Sequence, residues 1–206
     1  MRHGQQSTDG AVPAFPVTLA EAKEHVRVYH NDDDAYIEAL IGVCTEFTET
    51  VTGRTLVRRE VTVRTAFPQG AGLSAMIGFD RVPVDSVTSV AYVDRQGASV
   101  TLDPSAYRVE TGERGLIYPA SGAQWPETDQ NAYLPVTIVI QSGYAPSADS
   151  PPQFGANVPK PLRQAILLLI GHMFEHREAV AMGVSAVTTP LGYDALIYPY
   201  RVRLGI

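Results

Sequence analysis

His172-Met-Phe-Glu-His176 comes nearest, of any segment in this chain, to a reactive constellation. Histidines four apart share one face of a helix and can ligate zinc, with Glu175 placed as a base. Such a site needs a third protein ligand. After Glu178 the sequence offers only Asp194, and no histidine follows His176. The same run also reads as the solvated end of a helix, with His176 and Arg177 near its negative pole. Asp32-Asp33-Asp34 resembles a metal cluster in composition, but consecutive helical residues point apart, and helix capping accounts for them. Gly70-Ala-Gly72 lacks the lysine and the following helix of a phosphate loop. There is no Gly-x-Ser-x-Gly elbow, and the single cysteine, Cys44, lies on an apolar helical face as a buried, inert thiol. Ten tyrosines against one tryptophan, Trp125, could stack on bases or glycans. On amphipathic strands they more often seal a sheet or an interface. No catalytic, cofactor-binding or metal residue is therefore assigned.

The bulk composition leads the same way. In 206 residues, 45% are hydrophobic and 18% charged, ordinary values for a folded chain of one domain or two small ones. A net charge of -6 speaks against tight, sequence-independent DNA binding, although an acidic lining lets DNA pass without sticking. Fourteen of the sixteen bases are arginine, which suits planar contacts with carboxylates at interfaces. No apolar run is long enough for a membrane span and the N-terminus lacks a signal-like stretch, so synthesis and residence in a cytoplasm are expected.

The elements come in the order helix, helix, strands, helix. Residues 1–16 read as a flexible arm. Thr18-Leu-Ala-Glu21 has the form of a capping box, predicting a helix to about Val28. Asn31-Asp-Asp-Asp34 opens a second helix with the stripe Ile37, Leu40, Ile41, Cys44, Phe47 and Val51, stopped at Thr52-Gly53. Residues 17–53 thus form the first part of a helical domain. From residue 54 to 144 the period changes to two, and six or seven short strands predict an antiparallel β insertion whose ends lie close in space. Residues 145–157 are a linker by composition. Residues 158–183 hold a long apolar helix, Leu162 to Val180, with the stripe Leu162, Ala165, Ile166, Leu169, Ile170 and Met173. Leu167, Leu168 and Phe174 lie off that stripe, so the helix needs a second cover, from its own β layer or from a neighbouring copy.

The last segment, 184–206, is unusual. Tyr193 to Tyr198 suggests a helical turn before Pro199. Beyond it Tyr200, Val202, Leu204 and Ile206 alternate with Arg201, Arg203 and Gly205, which is strand patterning at the end of the chain. Two readings stay open: an edge strand of the chain's own sheet, or a strand offered to another protein. The fold class is α+β: a small helical bundle with an inserted antiparallel β domain and an extended C-terminal tail.

Taken together, several stretches resemble the head–tail connector (adaptor, or head-completion) family of tailed bacteriophages and gene transfer agents, in its longer members with a β insert. They are Val17 to Val26, Asn31 to Ile41, Glu49-Thr-Val-Thr-Gly-Arg-Thr-Leu56, Val158 to Leu168 and Glu175-His-Arg-Glu178. The resemblance implies a non-enzymatic virion protein, made in the host cytoplasm, with no cofactor. It implies a ring, twelve-fold by analogy, beneath the portal protein. That ring would extend the DNA channel without binding DNA specifically and would receive a stopper or tail-completion protein. Portal docking in such proteins uses C-terminal segments, so Tyr198, Tyr200, Arg201, Val202, Arg203, Leu204 and Ile206 become docking candidates. Leu167, Leu168 and Phe174 become candidates for the subunit interface. Deleting residues 200–206 is expected to leave the fold intact and abolish portal binding. The rival readings are another virion joint (stopper or tail-completion protein), a zinc hydrolase using His172 and His176, and a stand-alone β-rich binding module.

Overall fold

The computed structural model describes residues 15–70, 72–149, 152–177 and 191–202. The chain divides into two compact units. Residues 58–143 form one, and the flanking segments, up to Val57 and from Tyr144, form the other.

In the helical unit the capping box is complete. The Glu21 amide donates to the Thr18 hydroxyl (3.2 Å) and the Thr18 amide to the Glu21 carboxylate (2.9 Å). They open α1 (Leu19–Val26), which stops at Arg27 in the left-handed conformation, φ 57°. α2 (Asp34–Thr52) ends at Gly53, whose φ of 71° is the left-handed turn that glycine adopts without strain. α3 (Lys160–Glu175) begins at the proline-marked start read from sequence. It closes at His176 instead of running on to Val180; residues 178–190 lie outside the described residues. α4 (Leu191–Ile197) follows, then a 3-10 turn, Tyr198–Tyr200.

The core of this unit is the joint stripe of α2 and α3: Ile37, Leu40, Ile41 and Cys44 against Leu162, Ala165, Ile166, Leu169 and Ile170, all buried. The two helices pack on each other as their periodicity requires, and α1 and α4 also lie against α3. That arrangement answers the question of the second cover. Leu167 and Phe174 are half-buried against the same core, and Leu168 reaches Gly192 at the start of α4. The unit's own helices supply part of the cover and leave all three half-buried.

One part of the α2 stripe is corrected. Phe47 is 42% exposed and Val51 only half-buried, while Thr45, Thr48, Glu49 and Thr52 are buried. The helix is rotated towards its polar side at the C-terminal end because partners there satisfy Thr48, Glu49 and Thr52, as described below.

The β unit has seven strands: β1 (Arg59–Thr65), β2 (Ile77–Gly78), β3 (Val84–Val93), β4 (Ser99–Thr101), β5 (Tyr107–Glu110), β6 (Leu116–Pro119) and β7 (Val136–Ser142). They form a four-stranded sheet in the order β1-β7-β3-β4 and a three-stranded sheet in the order β2-β6-β5, antiparallel throughout. β1 pairs with β7 from Arg59 opposite Ser142 to Thr65 opposite Val136, so the first and last strands of the insertion are neighbours, as expected. Alternation is clean where the register is regular: Val61, Val63 and Thr65 of β1, and Val136, Ile138 and Ile140 of β7, are buried. In β3, irregularities between Val84 and Ser86 and between Val87 and Ser89 break the period of two. Gly115 is needed at its turn: φ is 45°, and a β-carbon there would lie 2.4 Å from a Val84 methyl.

Candidate docking surface

The last described residues, Leu191 to Val202, are held by a cluster of polar side chains around the end of α2. Tyr193 is 1% exposed, and its hydroxyl lies 3.1 Å from that of Thr48, which donates to the Cys44 carbonyl (2.7 Å). Burial raises the Tyr193 phenol above its usual range, and the Thr48 bond only partly offsets it. Thr52 donates to the Thr48 carbonyl at 2.6 Å, and the Leu56 amide donates to the buried Glu49 carboxylate at 2.6 Å. Arg54, 7% exposed, donates through Nε to the Tyr200 carbonyl (2.6 Å) and through Nη1 to the Tyr144 hydroxyl (2.9 Å). Its guanidinium carbon sits 5.6 Å from the centre of the Tyr200 ring. The Val202 amide donates to the Thr52 carbonyl at 2.7 Å, and Arg201 pairs with Asp194 at 3.0 Å.

These contacts locate the expected docking residues. Tyr198 is 59% exposed, Tyr200 and Val202 are half-buried against their own unit, and Arg201 already has an acidic partner in the chain. Up to Val202 the segment is helical turn and coil rather than a strand of either sheet. Arg203, Leu204 and Ile206 lie outside the described residues. Tyr200 and Val202 take part in the cluster, so removing residues 200–206 would also remove these contacts, whereas a cut after Val202 leaves them in place. Large apolar side chains are exposed elsewhere too: Val43 (52%) and Phe47 (42%) are one turn apart on the outer face of α2.

The other candidate residues are accounted for locally. His176 is out of the helix, with its Nδ1 2.9 Å from the His172 carbonyl, and the two rings are 4.7 Å apart. Asp194, the only acidic residue that could complete a zinc set from downstream, is the partner of Arg201. Among the described residues no three His, Cys, Asp or Glu side chains converge on a common point. Asp33 takes the N-cap position of α2 but makes no side-chain cap, contrary to expectation; its carboxylate binds Arg177 at 2.9 Å, and Asp34 pairs with Lys23 at 2.5 Å. Arg177 is also laid over the rings of Tyr36 (4.6 Å) and Phe174 (4.9 Å), which ties the end of α3 to the start of α2. Cys44 is fully buried, and burial pushes its thiol up to about 12.

In the β unit, Trp125 stacks on Phe67 at 4.6 Å and donates to the Ala75 carbonyl at 2.6 Å, so the aromatics seal the layer. Beside it a recess of about 650 Å³ is lined by Ala75, Met76, Glu110, Tyr118 and the 119–124 turn. Among the described residues no helix is long and apolar enough to cross a membrane.

Sequence reasoning missed Glu49, Arg54, Thr48 and Tyr193 as a unit. The available signal was the run Glu49 to Leu56, where a helix stop is flanked by an acid and an arginine.

The architecture, a helical bundle with a β insertion and a pinned C-terminal segment, defines a class. Residues 16–89 match the family model described as phage gp6-like head-tail connector protein. Three solved structures are similar over nearly the whole chain. The neck of an empty gene transfer agent particle, computed with C6 symmetry, matches at 25% identity and a TM-score of 0.75, covering 98% of this chain and 97% of that one. The virion of a native gene transfer agent particle matches at 24% identity and a TM-score of 0.74, with 97% and 96% covered. The neck of a native particle computed with C12 symmetry matches at 25% identity and a TM-score of 0.68, with 99% and 97% covered. Among curated proteins there is no match. The connector signature thus lies in residues 16–89, and over nearly its whole length the chain shares the fold of a protein in gene transfer agent necks.

Proposed function

We propose that this protein forms a ring at the head–tail interface of a virion, beneath the portal protein, where it extends the DNA channel and provides the tail attachment site. The observation that carries this reading is the whole-chain likeness to proteins of gene transfer agent necks computed with C6 and C12 symmetry. Twelve copies suit the second of these. The net charge of -6 suits a channel through which DNA slides without adhering. Residues 203–206, with the exposed Tyr198, are the portal-docking element, adding a strand to the portal. Val43 and Phe47 on α2, together with the exposed parts of Leu167, Leu168 and Phe174, meet a sister subunit or the next neck protein.

The test is co-expression with the portal protein of the same genome, followed by electron microscopy. A ring of connector density on the portal's tail-facing end is expected, and its loss on deleting residues 203–206 with an unchanged melting profile. A chain that stays monomeric with the portal present, or a truncation that still binds, refutes the respective part.

A further inference from the structure

We propose that Arg54 is a positioning residue for portal docking: its guanidinium clamps Tyr200 and so fixes where, and in which direction, the chain leaves the helical unit at Val202. This rests on the docking role proposed above for residues 203–206, and it is separable from it.

Arg54 is buried, and its guanidinium reaches the segments that flank the tail's root. Nε holds the Tyr200 carbonyl, Nη1 holds the Tyr144 hydroxyl, and the guanidinium lies against the Tyr200 ring. Two residues further on, the Val202 amide is fixed by the Thr52 carbonyl, one of the last in α2, which the end of a helix leaves open to such a donor. Tyr200 is thus held by backbone and by ring together. Arg201 is held on its other side by Asp194. No apolar contact alone would do this, because hydrophobic packing tolerates sliding and rotation, whereas a planar fork sets both distance and angle. A tail that must reach a groove on another protein gains affinity when its root is already ordered, since the ordering is then not charged to binding.

The substitutions that test this keep the burial while loosening the clamp. Arg54→Lys retains the charge but, as a point donor, cannot hold Tyr200 and Tyr144 together. Tyr144→Phe removes only the hydroxyl. In the chain alone, both variants should keep the helical circular dichroism. Limited proteolysis after Arg201 should be faster in both, and faster in Arg54→Lys.

With the portal protein, binding should weaken roughly 10- to 100-fold for Arg54→Lys, the cost of re-ordering one or two backbone residues. The decisive readout is a cycle with the 203–206 deletion, at portal concentrations high enough to measure the residual affinity. If Arg54 acts through the tail, Arg54→Lys has no further effect on portal binding once residues 203–206 are gone. An equal loss in both backgrounds, or unchanged proteolysis at Arg201, overturns the positioning role. A deletion that leaves portal binding unchanged overturns the docking role itself, whatever Arg54 does.

Discussion

Tyr193 offers the sharpest test of whether α4 belongs to the folded unit or to the tail. Its side chain is 1% exposed, wedged between α2 and α4 with Phe47 at a ring separation of 6.0 Å, and its hydroxyl meets Thr48 at 3.1 Å. Truncation to alanine opens a cavity the size of a ring, which costs about 3–5 kcal/mol. Tyr193→Phe keeps the ring and loses one buried hydrogen bond, about 1 kcal/mol. At a urea dependence of about 2 kcal/mol per molar, the alanine variant should unfold some ~2 M urea earlier and the phenylalanine variant about 0.5 M earlier. Helical circular dichroism follows the helical unit, while the fluorescence of Trp125, the single tryptophan, reports on the β unit. In a double-mutant cycle, Thr48→Val and Tyr193→Phe should couple by about 1 kcal/mol. An alanine variant whose helical transition moves by less than the equivalent of about 1 kcal/mol would show α4 to be a loosely attached appendage, and the account of the polar cluster would fail with it.

Three further perturbations follow from particular residues. Burial alone would raise the Glu21 carboxyl, but hydrogen bonds from Thr18 and the neighbouring Arg163 outweigh it and hold it below the ordinary 4.5. A depressed folded-state value means that its stabilisation is present above about 4.5 and is lost as pH falls through the folded-state value. Glu21→Gln should therefore lower the melting temperature at neutral pH and flatten its decline in acid; an unchanged acid limb counts against the Glu21 network. Cys44, with its thiol at about 12 and no exposure, should react with thiol reagents only as fast as the helical unit opens, so labelling should track denaturant concentration. Arg27 sits exposed at φ 57°, and Arg27→Gly should stabilise the protein by up to about 1 kcal/mol, seen as a higher urea midpoint.

What could be read from the sequence was the repetitive part. The Thr18 capping box, the stripe from Ile37 to Cys44 and its counterpart from Leu162 to Ile170 were all legible, because burial against one neighbour leaves a periodic signature. So was the return of the β insertion to its starting point, since β1 and β7 alternate cleanly. Legibility failed where tertiary partners override the period. Thr48 and Glu49 look like solvent-facing residues and Phe47 like core, yet Tyr193 and the Leu56 amide, distant or hidden in sequence, reverse their burial. The irregularities in β3 mask its period of two in the same way. The apolar excess of Leu167 and Phe174 was visible, but not that α1, α2 and α4 would between them line α3.

The placement of polar groups inside the end of α2 bears on function more than on stability. Burying Glu49, Arg54 and two threonines costs desolvation that an apolar cluster of equal volume would avoid, so stability alone does not favour them. Directional bonds do what apolar contacts do poorly: they select one register of Tyr193 against Thr48, of Tyr200 against Arg54 and of Val202 against Thr52. On the docking role proposed above, every copy has to present the same tail at the same angle, because a ring offers repeated, identically oriented sites. Replacing the cluster by apolar residues should then give a protein as stable as the original, or more so, whose C-terminal segment no longer has one defined position. Stability retained and portal affinity lost in that variant would separate the two roles; stability lost with affinity retained would show that the cluster serves the fold alone.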